Sequence, residues 1–499
     1  YGTENNGGGG VRVSKGTFTM SGNAVISGNK AASGGGGVHV NTRGKFTMSG
    51  DAVISGNTAA GSGGGVCVTE SGTFTMEGGT IGGTDNGNTA SGRGGGGVNV
   101  YNGTFTMKNG TISGNSADDS EGGDGNGGGV YVQGIGGSFN MSGGTINGNT
   151  AKSSGGGVFV QGANSSFIMG GNAVISGNTA ESNGGGVYMK SAIGAFTMNG
   201  GTISGNKATG LNGNGGGVYV ASLDKEPSKF IMNSGTISGN TASDYGGGVY
   251  VYSTTVSGGI FTMNGGTISG NNGTYGGGGV YVGKNAKMTV SGGARIEDNW
   301  KNGTLNEESG AYVQGTNGSA NNLYLYSVAI DTLAGTAHIG VTTAKTPTAG
   351  DPVQFATGAT NAALDYTTIF TPDAADQGYV VNKDGSGNLF LNAHRHNWTY
   401  TANTEGDTIT AVCSECSASG GSLTIKAPDE DTLTYDGNGK AATLDNKLTT
   451  GATVSASDIS YHMGESLTGN LPAGNYPTDA GEYKASITVG GVTASVAYT

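Results

Sequence analysis

Apolar residues return along the first three fifths of the chain in three short alternating runs: VYV after a string of glycines, FTM after a polar turn, and TIS before Gly-Asn. Alternation with period two marks a strand with one buried face, and the Gly and Asn between the runs tolerate positive φ, so three short strands joined by tight turns are predicted. No stretch has helical periodicity. The unit recurs, with the first valine of the glycine-flanked run at Val11, Val38, Val66, Val98, Val130, Val158, Val187, Val218, Val249 and Val280, spacings of 27 to 32 residues. The variation falls in polar stretches such as Ala117 to Asn126, so insertions belong to loops.

Three strands in each turn of about 30 residues, with the same residue at the same place, predict an all-β chain: a right-handed parallel β-helix of about ten regular rungs. A propeller is the competing architecture, but its four-stranded blades need about 40 to 50 residues. Stacking turns equivalent positions into columns. Phe18 through Phe261, Met20 through Met263 and Ile26 through Ile296 should each line the interior, closed by two largely valine columns. The Asn that ends each SGN, as at Asn29, Asn57, Asn115, Asn178, Asn206, Asn240 and Asn271, suits an internal ladder of amides at the strand spacing of about 4.8 Å. A glycosylation reading is less economical for a position repeated on nearly every rung.

The pattern blurs after Asn299, with one degenerate echo at Ala311 to Val313, and longer β segments follow at Leu323 to Val328, Ala337 to Thr342, Pro352 to Phe355, Tyr379 to Asn382 and Asn388 to Leu391. The expected organisation is therefore repeats over 1–299, terminal rungs and a C-terminal cap over 300–392, a short His/Cys hairpin module or linker over 393–421, and a small β-sandwich over 422–499. The N-terminal edge carries no comparable cap, which suggests further chain upstream.

Composition sharpens this picture. Glycine supplies 105 of 499 residues and proline only 7, without a three-residue period, which excludes collagen; the regular return of Val, Phe, Met and Ile argues against disorder. The net charge of −12 repels phosphate backbones and anionic lipid, so neither nucleic acid nor a membrane is an expected partner. No apolar run approaches the roughly 18 residues of a membrane span, and a monomer is expected.

His394, His396, Cys413 and Cys416 form an H-x-H followed by C-x-x-C across a predicted hairpin, a tetrahedral set for a structural zinc ion. A Cys413–Cys416 disulfide and free thiols are the open alternatives. The middle residue of the glycine-flanked strand runs Arg12, His39, Cys67 and Asn99, then Tyr131, Phe159, Tyr188, Tyr219, Tyr250, Tyr281 and Tyr312. With both neighbours pointing inward, these should form an exposed aromatic stripe that could stack sugar rings or dock a partner, or could simply stabilise the sheet and shield the glycine turns. Tyr131, Phe159, Tyr188, Tyr219, Tyr250 and Tyr281 are the candidate ligand-binding residues. Asp118, Asp119, Glu121, Asp124 and Asn126 offer calcium-type oxygens but at no calcium-repeat spacing, so a solvated acidic loop is favoured. Cys67 lacks a following His at a recurring position and reads as a small packed side chain. Hydrolases of this architecture need paired carboxylates and lyases a metal with a nearby base; only Arg295, Ile296, Glu297 and Asp298 gather acid and base, so no catalytic residues are assigned.

The GGGVYV, FTMNGGTISGN and TA units resemble the pectate-lyase-like β-helix repeats of large bacterial surface proteins, over roughly residues 1–300. HRHNWTYTANTEGDTITAVCSEC resembles a short module found after such helices. LTYDGNGKAATL and GNLPAGNYPTDAGEYKASITVGGVTASVAYT resemble the MBG family of Ig-like bacterial surface domains, with the turn at Asp479, Ala480 and Gly481 leading through Glu482 and Tyr483 into a final pair of strands. The resemblance implies a secreted or wall-attached adhesin-type protein that binds glycan or a host or extracellular-matrix surface. A polysaccharide-active lyase or glycoside hydrolase is the alternative.

Overall fold

The computed structural model describes residues 7–190, 193–222, 226–253, 258–306, 311–314, 318–348, 351–374, 378–393, 397–414, 419–429, 433, 436, 438–464, 476–479 and 481–499. The chain divides into two compact units, Tyr1–Ala375 with Val381–Asn392, and Asp376–Val380 with Ala393–Thr499. Among the described residues no helix is long and apolar enough to cross a membrane.

The first unit is a parallel β-solenoid of about 11 turns. Each regular turn carries the three expected strands, for example Val130–Gln133, Ser138–Met141 and Thr145–Asn147, and each pairs in parallel with its counterpart one repeat later. A fourth strand was not separable in the sequence. The Thr-Ala dipeptide, as at Thr150–Ala151, pairs with Thr179–Ala180 of the next turn and builds its own 11-stranded sheet.

The columns are in register because every repeat places the same residue at the same depth. From Phe46 to Phe261 the rings stack with centroids 4.7–4.8 Å apart and planes within 9° of parallel, a spacing set by the strand-to-strand distance. From the second turn on, the Met and Ile columns beside them are buried, as are both valine columns. The glycine run makes this packing possible. Gly155 turns the chain at φ 69°, and a Cβ on Gly157 would sit 2.7 Å from the Gly186 carbonyl oxygen and 3.1 Å from Asn178 Nδ2. A side chain there would push adjacent turns apart, so the corner is closed by backbone alone.

The asparagine ladder is longer than the SGN motif reveals. Asn29, Asn57, Asn88, Asn115, Asn149, Asn178, Asn206, Asn240, Asn271, Asn299 and Asn322 form one column in which each Nδ2 donates to the Oδ1 of the following turn at 2.9–3.0 Å. The backbone N–H of each Asn donates to the same Oδ1, and Nδ2 also donates to the carbonyl of an Ile in the preceding turn, as Asn178 does to Ile146 O at 3.0 Å. All the amides point the same way, with their donor ends toward the C-terminus. The column ends on a carboxylate: Asp373 accepts from Asn322 N at 2.8 Å, Asn322 Nδ2 at 2.6 Å and Thr342 Oγ1 at 2.7 Å. Burial pushes the Asp373 pKa up, against the lowering by these three donors.

Residues 300–392 close the solenoid. The echo at Ala311 to Val313 is not a rung; Tyr312–Val313 pairs antiparallel with Thr304–Leu305, and the glycine-flanked ladder continues instead at Leu323–Leu325. His338–Thr343 then pairs with both Arg295–Glu297 and Leu323–Leu325. At the end Val353–Thr357 pairs antiparallel with Leu389–Ala393, which stops parallel propagation.

The second unit holds an antiparallel four-stranded sheet (Trp398–Ala402, Thr408–Cys413, Ser419–Lys426, Thr443–Asn446) and an antiparallel three-stranded sheet (Ser460–Met463, Tyr483–Val489, Val492–Tyr498). Ile409, Leu423, Ile425, Tyr461, Ala485 and Ile487 share one core between them. The expected boundary between 421 and 422 falls inside Ser419–Lys426, so the hairpin is part of the four-stranded sheet rather than a separate linker.

Candidate functional site

The outward column of the glycine-flanked strand is the most extended functional candidate, and parallel register carries it from Arg12 through His39, Cys67 and Asn99 into Tyr131, Phe159, Tyr188, Tyr219, Tyr250 and Tyr281. Its expected exposure does not hold. Tyr131 is 3%, Phe159 4%, Tyr188 9% and Tyr219 7% exposed. The cause is the rung spacing itself: from Phe159 to Tyr281 each ring lies 4.6–5.1 Å from the next with planes within 12° of parallel, so both faces are taken by neighbours. Tyr131 packs edge-on against Phe159 and donates from its hydroxyl to Gln161 Oε1 at 3.0 Å. The glycine turn passes along the column's flank, so that a Cβ on Gly184 would lie 2.8 Å from the Tyr188 Cβ. Burial pushes the Tyr281 hydroxyl up to about 12 and raises those of Tyr131, Tyr188, Tyr219 and Tyr250, which keeps the column neutral.

The column opens toward its C-terminal end. Tyr250 and Tyr281 are half-buried, and the ring after Tyr281 is Tyr324, at 5.1 Å, rather than the expected Tyr312. Tyr312 instead accepts a hydrogen bond at its hydroxyl from Thr241 Oγ1 at 2.9 Å. In the turn after Tyr324 the column position is Thr342, so the stack ends. Further tyrosines gather here: Tyr252 packs on Tyr219 and Tyr250 at 6.4 and 6.1 Å, while Tyr245 lies 4.7 Å from Tyr281 and 6.0 Å from Tyr275. Tyr275 is 59% and Tyr326 48% exposed. Tyr252 and Tyr326 were signalled in the sequence only by standing two residues beyond a column position, hence on the same face.

At the polar end His39 stands opposite Cys67 in the adjoining turn, a neighbour that a search for a following His does not find. Burial pushes the Cys67 thiol up to about 11, its sulfur accepts from Asn99 Nδ2 at 3.4 Å, and burial lowers the His39 pKa. The pair is thus held as neutral thiol and neutral imidazole, the opposite of an activated nucleophile.

The acid and base cluster is assembled differently from its sequence. Arg295 donates to both oxygens of Glu297, at 2.8 and 2.7 Å, and His338 Nδ1 lies 3.0 Å from Glu297 Oε2, brought in by a strand 41 residues later. Asp298 holds a turn at φ 54°, and Ile296 faces the core.

Of the expected zinc set only Cys413 is among the described residues, buried at the end of Thr408–Cys413; His394, His396 and Cys416 lie outside them. Among the described residues no group of three or more His, Cys, Asp or Glu side chains is arranged to hold a metal ion. In the acidic loop Asp118 accepts from Ser120, and Asn126 accepts from Ser154 N. The second unit carries a cleft of about 280 Å³, walled by Lys440, Pro477, Tyr483 and Tyr498. Comparison with family models, with curated proteins and with solved structures returns no match to this chain.

Proposed function

We propose that this chain is the non-catalytic, elongated binding part of a secreted or cell-surface adhesin-type protein, presenting its solenoid to glycan or to a host or matrix surface. The observation that carries this reading is the gathering of exposed tyrosines at one end of the outward column, Tyr275 and Tyr326 above all, on a scaffold of strands that pair with their counterparts from turn to turn. Tyrosine offers a sugar both an apolar face and a hydroxyl. The net charge of −12 directs the chain away from nucleic acid. The repeats are assigned to the pectate-lyase-like helices of bacterial surface proteins and the second unit, with its two antiparallel sheets around one core, to an Ig-like domain of MBG type.

A polysaccharide lyase or hydrolase is the second reading, favoured by Glu297 between Arg295 and His338. Incubation with pectin, alginate and host glycans separates the two. Retention without release of reducing or unsaturated ends is expected; turnover that disappears with Glu297→Gln would establish the enzyme.

A further inference from the structure

Charge is spread unevenly along the solenoid. Residues 7–50, from the first two turns, carry Arg12, Lys15, Lys30, Arg43 and Lys45, all exposed, and no Asp or Glu, on a chain of net charge −12. Glu4, upstream of the described residues, sets one negative charge against these five. At physiological salt, exposed charges more than about 8 Å away are largely screened, so this end presents a positive field whatever the total.

Three of the five meet at one corner, the loop between the first and second strands of a turn. Lys15 and Arg43 occupy that loop on successive turns, between Val11–Ser14 and Thr17–Met20 and between Val38–Asn41 and Lys45–Met48. Lys45 opens the strand that follows, opposite Thr17, and its N–H donates to Gly16 O at 2.8 Å. With turns about 4.8 Å apart and about 6.6 Å between alternate residues of a strand, the three side chains spring from a small patch. Among the described residues none of the three makes an ion pair. Glu70 borders the patch on the third turn, where its carboxylate accepts from Thr42 Oγ1 at 2.7 Å.

The backbone supplies an independent sign. Lys15 has φ 60° and Arg43 φ 62°, a conformation that crowds a Cβ and that glycine adopts freely. The same loop on later turns places glycine at positive φ, at Gly134 and Gly162. The first two turns thus keep a long cationic side chain where the backbone favours none, and the turn itself does not account for it.

A partner for this corner is an anion narrow enough to meet it alone. A duplex nucleic acid or an anionic membrane presents a broad negative surface that would also face the acidic remainder of the chain, whereas a single polysaccharide strand does not. Arg can grip an acid group through two parallel hydrogen bonds, and Lys adds point charges. We infer that Lys15, Arg43 and Lys45 form a subsite for the carboxylate or sulfate groups of an anionic polysaccharide. This rests on the glycan reading above and adds a charged subsite to it, at the end of the solenoid away from the exposed Tyr275 and Tyr326.

The test is affinity electrophoresis of the full chain in gels containing polygalacturonate, dextran sulfate or neutral dextran, with duplex DNA for comparison. Retention by polygalacturonate or by dextran sulfate is expected, weakening as salt rises, and the stronger of the two names the acid group. The triple variant Lys15→Gly, Arg43→Gly, Lys45→Thr should weaken it about tenfold, about 1.4 kcal/mol shared among three exposed ion pairs, with no loss of thermal stability because glycine relieves both left-handed residues. Lys152→Ala, whose ammonium is held by Glu181 at 2.7 Å turns away, should leave retention unchanged. Should the unfolding midpoint of the triple variant fall, Lys45→Thr alone carries the comparison with an expected loss of about twofold, since it restores the residue of both adjoining turns, Thr17 and Thr73. Retention that survives the triple variant within twofold, or Lys45→Thr undiminished, would overturn the subsite. Equal retention by neutral dextran would overturn the anionic class and leave the glycan reading standing, and stronger retention by DNA would overturn the polysaccharide assignment. Failure to bind any polysaccharide, charged or neutral, would overturn the glycan reading itself.

Discussion

Removing one amide from the middle of the asparagine ladder should cost far more than removing one from its end. Asn178 accepts from Asn149 N at 3.0 Å and Asn149 Nδ2 at 2.9 Å, and donates to Asn206 Oδ1 at 2.9 Å and Ile146 O at 3.0 Å, with Asn149, Asn178 and Asn206 all fully buried. In Asn178→Ala the Asn149 backbone N–H loses its acceptor, one Asn149 amide hydrogen loses its best partner, and the Ile146 carbonyl loses a donor. At about 1–2 kcal/mol for each of these three buried groups, the loss is about 3–6 kcal/mol. Asn29 is half-exposed, and in Asn29→Ala the Asn57 Oδ1 keeps the Asn29 backbone N–H at 3.0 Å, so about 1 kcal/mol is expected. Because each turn of a solenoid contacts only its neighbours, the effect should be local. Native-state hydrogen exchange read by mass spectrometry is the assay: amides around 149–206 should lose two to four orders of magnitude of protection in Asn178→Ala, at about 1.4 kcal/mol per decade, while those near 11–60 barely change. A difference between the two variants below about 1 kcal/mol would refute the reasoning and make the ladder a passive filler of the corner.

The Asp373 terminus should make stability depend on pH. Its folded pKa is raised by burial, so the folded chain holds the proton more readily than the unfolded one, and its favourable contribution, complete at low pH, is lost as pH rises through the folded value. Asp373→Asn keeps an acceptor for Asn322 and can donate to Thr342, so denaturation midpoints measured across and above the carboxylate range should fall more steeply with pH in the wild type than in the variant; parallel curves would reject this. For the cysteine pair, elemental analysis under reducing conditions should find about one zinc per chain, lost in Cys413→Ser. Absence of zinc, with Cys413 and Cys416 oxidised to each other, would establish the disulfide.

The Phe, Met, Ile and valine columns and the existence of an amide ladder were legible without coordinates, since in a repeat each position inherits the environment of its counterpart one turn away. Period-two alternation in four residues such as Ser138–Met141 then suffices to say which side chains face inward. The Thr-Ala strand was not legible, because two residues carry no period. Nor were Asn299, Asn322 and Asp373, which extend the ladder where the repeat has lapsed and only the stacking of turns identifies an equivalent position. His338 reached Glu297 for the same reason, across 41 residues. The aromatic stripe shows the distinction most clearly. Alternation correctly turns Tyr188 and Tyr219 away from the core, yet direction is a property of one strand, whereas exposure depends on what the adjoining turns place within ring-stacking distance. Neighbouring rings at the strand spacing cover each other's faces, and that cover is supplied by turns about 30 residues away in the chain.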